Sequence, residues 1–166
     1  MNKEEELFIS LFEQMFDVCK RNGWGDPFSY ARAREIHTAI TLRHTVASTY
    51  SGEDATDEDG GAEYKSTITD KISGQYNGIS VHPTWEEQEH YLANDKIGKY
   101  KNHYFVRYCN GKIVELWKLD CKDVLGILLP KLKKQYEQHK IKQPKDPRLG
   151  AQVTQKEIYK YGEQII

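Results

Sequence analysis

Between residues 54 and 65 the chain reads DATDEDGGAEYK: an acid at Asp54, a second acid nine positions on at Glu63, and a lysine two further at Lys65. Residues two apart on a strand point to the same side, so Glu63 and Lys65 share a face if this stretch is extended. A hairpin closing at Gly60-Gly61 would bring Asp54 alongside them. Two carboxylates suit a hard, oxygen-preferring ion such as Mg²⁺, which keeps several waters and shares itself with substrate phosphate. Such an ion polarises a phosphoryl oxygen and acidifies a bound water, while an ammonium beside it orients that water and stabilises charge growing on phosphorus. These are the parts of a phosphodiester hydrolase. The same residues also fit a solvated surface ion pair, and spacing alone leaves both readings open. A calcium loop does not fit. With its glycine at Gly60 the first ligand is Ala55, and with Gly61 it is Thr56.

The flanking chain predicts the elements that must hold this stretch. Lys3 to Arg21 sets Leu7, Phe8, Leu11, Phe12, Met15, Phe16 and Cys19 at helical spacing and ends at Asn22-Gly23, a helix whose wide aromatic stripe is core or a dimer face. After the loop GWGDP, Phe28 to Leu42 reads as a second helix with Tyr30, Ala33, Ile36, Ala39 and Ile40 inward, carrying Glu35. Thr45 to Tyr50 is rich in β-branched residues and reads as a strand leading into the acidic loop, where Asp57, Glu58 and Asp59 form a solvated turn. Ala62 to Ile68 and a glycine-interrupted Ile72 to Val81 are further strands. His82-Pro83 breaks the chain, and Thr84 with Glu87 makes a capping box for a helix to about Asn94. Tyr104 to Cys109 and Lys112 to Leu119 flank Asn110-Gly111, the preferred two-residue hairpin turn. Val124 to Gln138 is a basic helix containing Pro130, and the tail after PKDPRLG reads as short strands or a last helix.

At 166 residues the chain is read as one domain, with N-terminal helices over 1–44, a catalytic sheet and recognition region over 45–119, and a basic helix and C-terminal segment over 120–166. No apolar run approaches the ~20 residues of a membrane span, and MNKEEE is no signal peptide, so a cytoplasmic protein without membrane attachment is expected. Cys19, Cys109 and Cys121 are odd in number and widely spaced, and are expected to be reduced and mostly buried. Charge is uneven: residues 1–95 carry 8 Lys and Arg against 18 Asp and Glu, and residues 96–160 carry 16 against 6. That asymmetry fits a metal-binding acidic patch beside a basic face for a polyanion, or simply solvated lysines.

The stretch resembles the PD-(D/E)XK nuclease signature, with Asp54 as the first acid and Glu63-Tyr64-Lys65 as the E-X-K. It is most similar to small homodimeric type II restriction endonucleases, through Gly52-Glu53-Asp54-Ala55-Thr56-Asp57 and then Glu63-Tyr64 and Lys65-Ser66, with a weaker likeness reaching the closing Tyr161-Gly162 segment. Two positions depart from the pattern: Glu53 replaces the signature proline, and Arg43 stands where a helix-to-strand turn favours glycine. The resemblance implies an α/β (α+β) fold with a restriction-endonuclease-like core, a mixed β-sheet flanked by helices. It implies that Asp54 and Glu63 hold Mg²⁺ with the Tyr64 carbonyl, that Lys65 acts at the water, and that Glu35 supplies an additional acid.

Such an enzyme must also read bases. Lys71, Gln75, Tyr76, Asn77, Ser80 and His82 follow the catalytic strand, and Gln and Asn suit bidentate contact with adenine while Lys suits guanine or phosphate. Lys96, Lys99, Lys101, Lys131, Lys133 and Lys134 are candidate phosphate contacts. One active site cuts one strand, so symmetric cleavage of double-stranded DNA at a short palindrome implies a homodimer. Two other readings are a structure-specific repair or recombination nuclease, and a non-catalytic DNA-binding protein.

Overall fold

The computed structural model describes residues 1–48 and 52–166, which divide into two compact units, Met1–Glu58 and Asp59–Ile166. The fold is mixed α and β, as expected, with a mixed sheet and a small second sheet.

In the first unit, α1 spans Lys3–Asn22. A reciprocal capping box between Asn2 and Glu5 starts it, Glu4, Glu5 and Glu6 favour its first turn, and Lys20 and Arg21 its last. Gly23, left-handed at φ 68°, ends it. Of its apolar stripe only Cys19 is buried; Leu7, Phe8, Leu11, Met15, Phe16 and Val18 stay exposed, and Phe12 stacks on Phe28. The second helix, α2, covers Arg32–Leu42 rather than starting at Phe28. Asp26 accepts from the Phe28 N–H and Tyr30 sits at φ 48°, so the chain turns before it can wind. Tyr30, expected inward, is therefore fully exposed, and Ile40 also faces out. Strand β1 is short, Thr45–Val46, and pairs antiparallel with β2, Ala55–Asp57. Thr49 and Tyr50, the end of the expected first strand, lie outside the described residues.

The second unit is built on β3, Gly60–Thr67, paired parallel with β5, Asn102–Cys109. Parallel neighbours need a crossover, and here it carries β4, Gly74–Ile79, then α3, Trp85–Tyr91, which runs on as a single π-helical turn over Leu92–Lys96. The Thr84–Glu87 capping box starts α3 as expected. Next, β5 forms the anticipated hairpin with β6, Lys112–Asp120; Asn110 and Gly111 have φ 49° and 74°, the left-handed pair that such a turn requires. The remaining elements are α4, Cys121–Lys142 with Pro130 at its exposed side, β7, Leu149–Val153, α5, Gln155–Tyr161, and β8, Glu163–Gln164. The tail thus holds both a helix and strands. β8 extends the sheet beyond β6, and β7 pairs with β4 as a separate sheet.

The core of this unit gathers Ile72, Ile79, Leu92, Ile97, Phe105, Leu119, Leu128, Leu132, Leu149 and Ile158 from every one of its layers. β5 is buried on both faces from Asn102 to Val106, as befits a central strand. Cys109 is exposed and Cys121 half-buried, so of the three free thiols only Cys19 meets the expectation of burial. No helix among the described residues is long and apolar enough to cross a membrane.

Candidate active site

Alternation along β3 sorts its side chains. Ala62 and Tyr64 are buried on one face, where Tyr64 meets Tyr104 edge-on at 5.5 Å, while Glu63 and Lys65 lie together on the other, the face of the core residue Phe105. There the Lys65 ammonium hydrogen-bonds Glu63 Oε1 and both side chains stay partly shielded from water. The strand register sets His103 opposite Glu63 and Phe105 opposite Lys65, so these four residues share one face.

Strand β4 crosses that face. Gly74 lies so close that a β-carbon on it would come within 2.4 Å of the Phe105 ring and 2.9 Å of Lys65 Cβ. Two residues later Tyr76 is buried, with the Lys65 Nζ 4.9 Å from its ring centroid and its hydroxyl 2.9 Å from His103 Nδ1. His103 is completely enclosed. Burial, and secondarily the Lys65 charge, push its imidazole down to about 3, although the Ile97 and Tyr100 carbonyls favour a proton on the ring. Neither carbonyl meets hydrogen-bond geometry with Nε2, which has no partner among the described residues. Tyr100 packs edge-on against the ring at 6.1 Å.

Where β3 begins, Asp59 accepts a hydrogen bond from Asn102 Nδ2 at 2.9 Å and pairs with Lys118 at 3.8 Å. It lies in the exposed turn expected from its sequence, and its carboxylate also ties that turn to the sheet.

The other acids lie in the first unit. Asp54 is half-buried, immediately before β2, and its carbonyl accepts the Ala47 N–H at 3.2 Å. Glu35, on the first turn of α2, pairs with Arg32 at 3.3 Å. Arg32 itself is 2% exposed and donates through Nε to the Trp24 carbonyl at 2.8 Å and through Nη2 to the Ala47 carbonyl. One buried guanidinium thus ties Glu35, the interhelical loop and the segment that braces Asp54. In the sequence Arg32 carries one signal, a cation on the helix face shared by Ile36 and Ala39.

Burial also sorts the proposed recognition residues. Gln75 and Asn77 point outward from β4, and Lys71 and Ser80 are exposed at its ends. Tyr76 between them points inward, away from any ligand surface. Asn77 borders a shallow concavity shared with Gln135, Asp146, Arg148 and Gly150. His82 packs on Tyr91 with ring centroids 4.6 Å apart. The fully buried Gln88, missed in the sequence, accepts the His82 N–H at 2.8 Å and donates to the Ser80 carbonyl at 3.1 Å. Among the lysines, Lys131 is occupied by Glu157 and the Gln152 carbonyl at 2.7 Å each. Lys133 lies over Trp85, while Lys96, Lys99, Lys101 and Lys134 remain exposed.

Among the described residues no group of three or more His, Cys, Asp or Glu side chains gathers as a metal cluster; a magnesium site of two carboxylates and a carbonyl does not call for one. In comparisons with protein-family models and with curated proteins, nothing matches this chain.

Proposed function

We propose that the chain is a Mg²⁺-dependent endonuclease that hydrolyses phosphodiester bonds in double-stranded DNA at a specific short sequence, in the manner of a type II restriction enzyme. The observation that carries this reading is the Glu63–Lys65 pair, side by side on one face of β3 with the ammonium held over the Tyr76 ring. Glu63 has a second carboxylate oxygen beyond the one bonded to Lys65, a donor that suits a hard cation, and the resemblance names Asp54 as its companion acid and the Tyr64 carbonyl as a further oxygen. When bound, the cation contributes charge neutralisation at phosphate and a more acidic water. Lys65 orients the attacking water and stabilises the negative charge that grows on the phosphoryl oxygens. Glu63 holds the ammonium in place. Glu35, held by Arg32, serves the first unit's architecture in this reading.

Recognition falls to Gln75 and Asn77, whose amides can pair bidentately with adenine edges, with Lys71, Ser80 and His82 flanking them. Exposed lysines such as Lys96, Lys99, Lys101, Lys133 and Lys134 answer phosphate; Lys131 is already committed to Glu157. Cutting both strands of a palindrome takes a homodimer. The exposed face of α1, with Leu7, Phe8, Leu11 and Met15, is the surface proposed for it, because an antiparallel copy sets Glu4, Glu5 and Glu6 against Lys20 and Arg21.

Incubating the protein with phage DNA and Mg²⁺ is the direct test. Discrete fragments whose sequenced ends share one motif support the reading, and Lys65→Ala, Glu63→Gln or Asp54→Ala should abolish cutting while leaving DNA binding measurable. Cleavage that follows flaps or junctions would instead identify a structure-specific nuclease. Salt-dependent binding with no turnover in any divalent ion would remove the enzyme reading.

A further inference from the structure

Lys65 has two ways to be held, and they differ in kind. Glu63 supplies an ion pair, which leaves a flexible four-carbon stem free to take many rotamers. Tyr76 supplies a surface: its ring lies under the ammonium, and a cation over an aromatic face is attracted to one region of space. A ring positions a cation only if the ring itself is fixed. Tyr76 is buried at 7% exposure, on the strand that Gly74 presses against Lys65 Cβ and Phe105, and its hydroxyl ends on His103 Nδ1. His103 in turn is enclosed on β5 opposite Glu63, with Tyr100 against its ring. An imidazole that is fully buried with one nitrogen unpartnered is costly to retain. The Tyr76 hydroxyl is the side-chain partner of its Nδ1, so the enclosed ring anchors Tyr76 through that bond.

We propose that Tyr76, anchored through its hydroxyl to the buried His103, is a positioning residue that holds the Lys65 ammonium for its role at the phosphate. The inference rests on the nuclease reading above and names two residues that act through Lys65. Neither touches substrate. Because Gln75 and Asn77 flank Tyr76 on the same short strand and face outward, the tether also places the proposed base-reading amides one residue on either side of the contact with the catalytic lysine.

The test is single-turnover cleavage of the fragment-defined site, with DNA affinity measured separately in Ca²⁺. Tyr76→Leu, which removes the ring, should slow the chemical step about tenfold or more with affinity within about twofold of wild type, since small misplacements of reacting groups are costly in rate. Tyr76→Phe keeps the ring without the tether and should recover part of that loss, and His103→Asn should resemble Tyr76→Phe. A second readout needs no activity: in the wild-type protein the Lys65 ε-methylene protons should be shifted upfield by the Tyr76 ring current, and should return to ordinary values in Tyr76→Leu. Variants that cut at the wild-type rate, or a wild-type Lys65 with no ring-current shift, overturn the proposal. Should Tyr76→Leu fail to fold, Tyr76→Phe and the wild-type spectrum still decide it. A wild-type protein that cuts no DNA removes the nuclease reading instead, which is a different result from an active enzyme indifferent to Tyr76.

Discussion

Gly74 packs directly against the ring of Phe105. The gap leaves no room for a methyl group, because a β-carbon there would approach the ring to 2.4 Å. Gly74→Ala should therefore push β4 off the sheet, at a cost of about 1–3 kcal/mol typical of overpacking, and should lower cleavage more than it lowers DNA affinity. Urea denaturation and single-turnover rates check the two halves. Wild-type stability in this variant would mean that β4 is less tightly seated than the structure indicates.

His103 makes folding pH-dependent in a defined direction. Its folded pKa is near 3, against an ordinary value of about 6.5. Between those values the unfolded chain takes up a proton that the folded protein refuses, so stability is fully present above about pH 6.5 and declines as pH falls. The slope contributed is about 1.4 kcal/mol per pH unit. Urea midpoints measured from pH 7.5 down to 4.5 should fall less steeply for His103→Asn than for wild type. Parallel curves would show that the buried ring is not the group responsible.

Arg32 is the strongest candidate for a structural hot spot in the first unit. Arg32→Met keeps the stem but removes the donors to the Trp24 and Ala47 carbonyls and the partner of Glu35. About 3 kcal/mol of destabilisation is expected from the polar groups left behind. Thermal unfolding followed by circular dichroism measures it, and a loss below about 0.5 kcal/mol would contradict the assigned network.

Arg43 offers the opposite outcome. It caps α2 in the left-handed conformation, φ 61° and ψ 30°, which costs a side-chain-bearing residue about 1 kcal/mol or more. Arg43→Gly should raise stability by about 1 kcal/mol and the melting temperature with it. This is the position where the sequence already asked for glycine, and the backbone shows why.

The parts of this fold that could be read from the sequence are those decided within a few residues. Asn110-Gly111, the Thr84–Glu87 box and the alternation that puts Glu63 beside Lys65 are local rules, and each holds in the structure. What escaped depends on which element lies across the gap. Tyr76 looked like a polar contact in a glycine-rich stretch until β3 and β5 were seen beneath it. Gln88 looked like one more polar residue of α3, yet it is buried because the Ser80–His82 backbone needs its amide. Lys131 read as a phosphate contact because Glu157, 26 positions away, was not yet its neighbour. Tyr30 was drawn into a helix by spacing, and a left-handed turn overrode it.

The parallel pairing of β3 with β5 has a consequence for how the protein comes into being. Thirty-four residues, 68–101, separate the two strands, whereas β5 and β6 meet across a two-residue turn. Closing the longer loop costs more chain entropy and brings a contact of higher sequence separation, so the hairpin can form early while β3 must wait for the crossover to fold. Until then Lys65 has neither the Tyr76 ring nor a sheet beside it. A half-made chain leaving the ribosome carries the residues of the site without the site, and any cutting activity would wait for that closure.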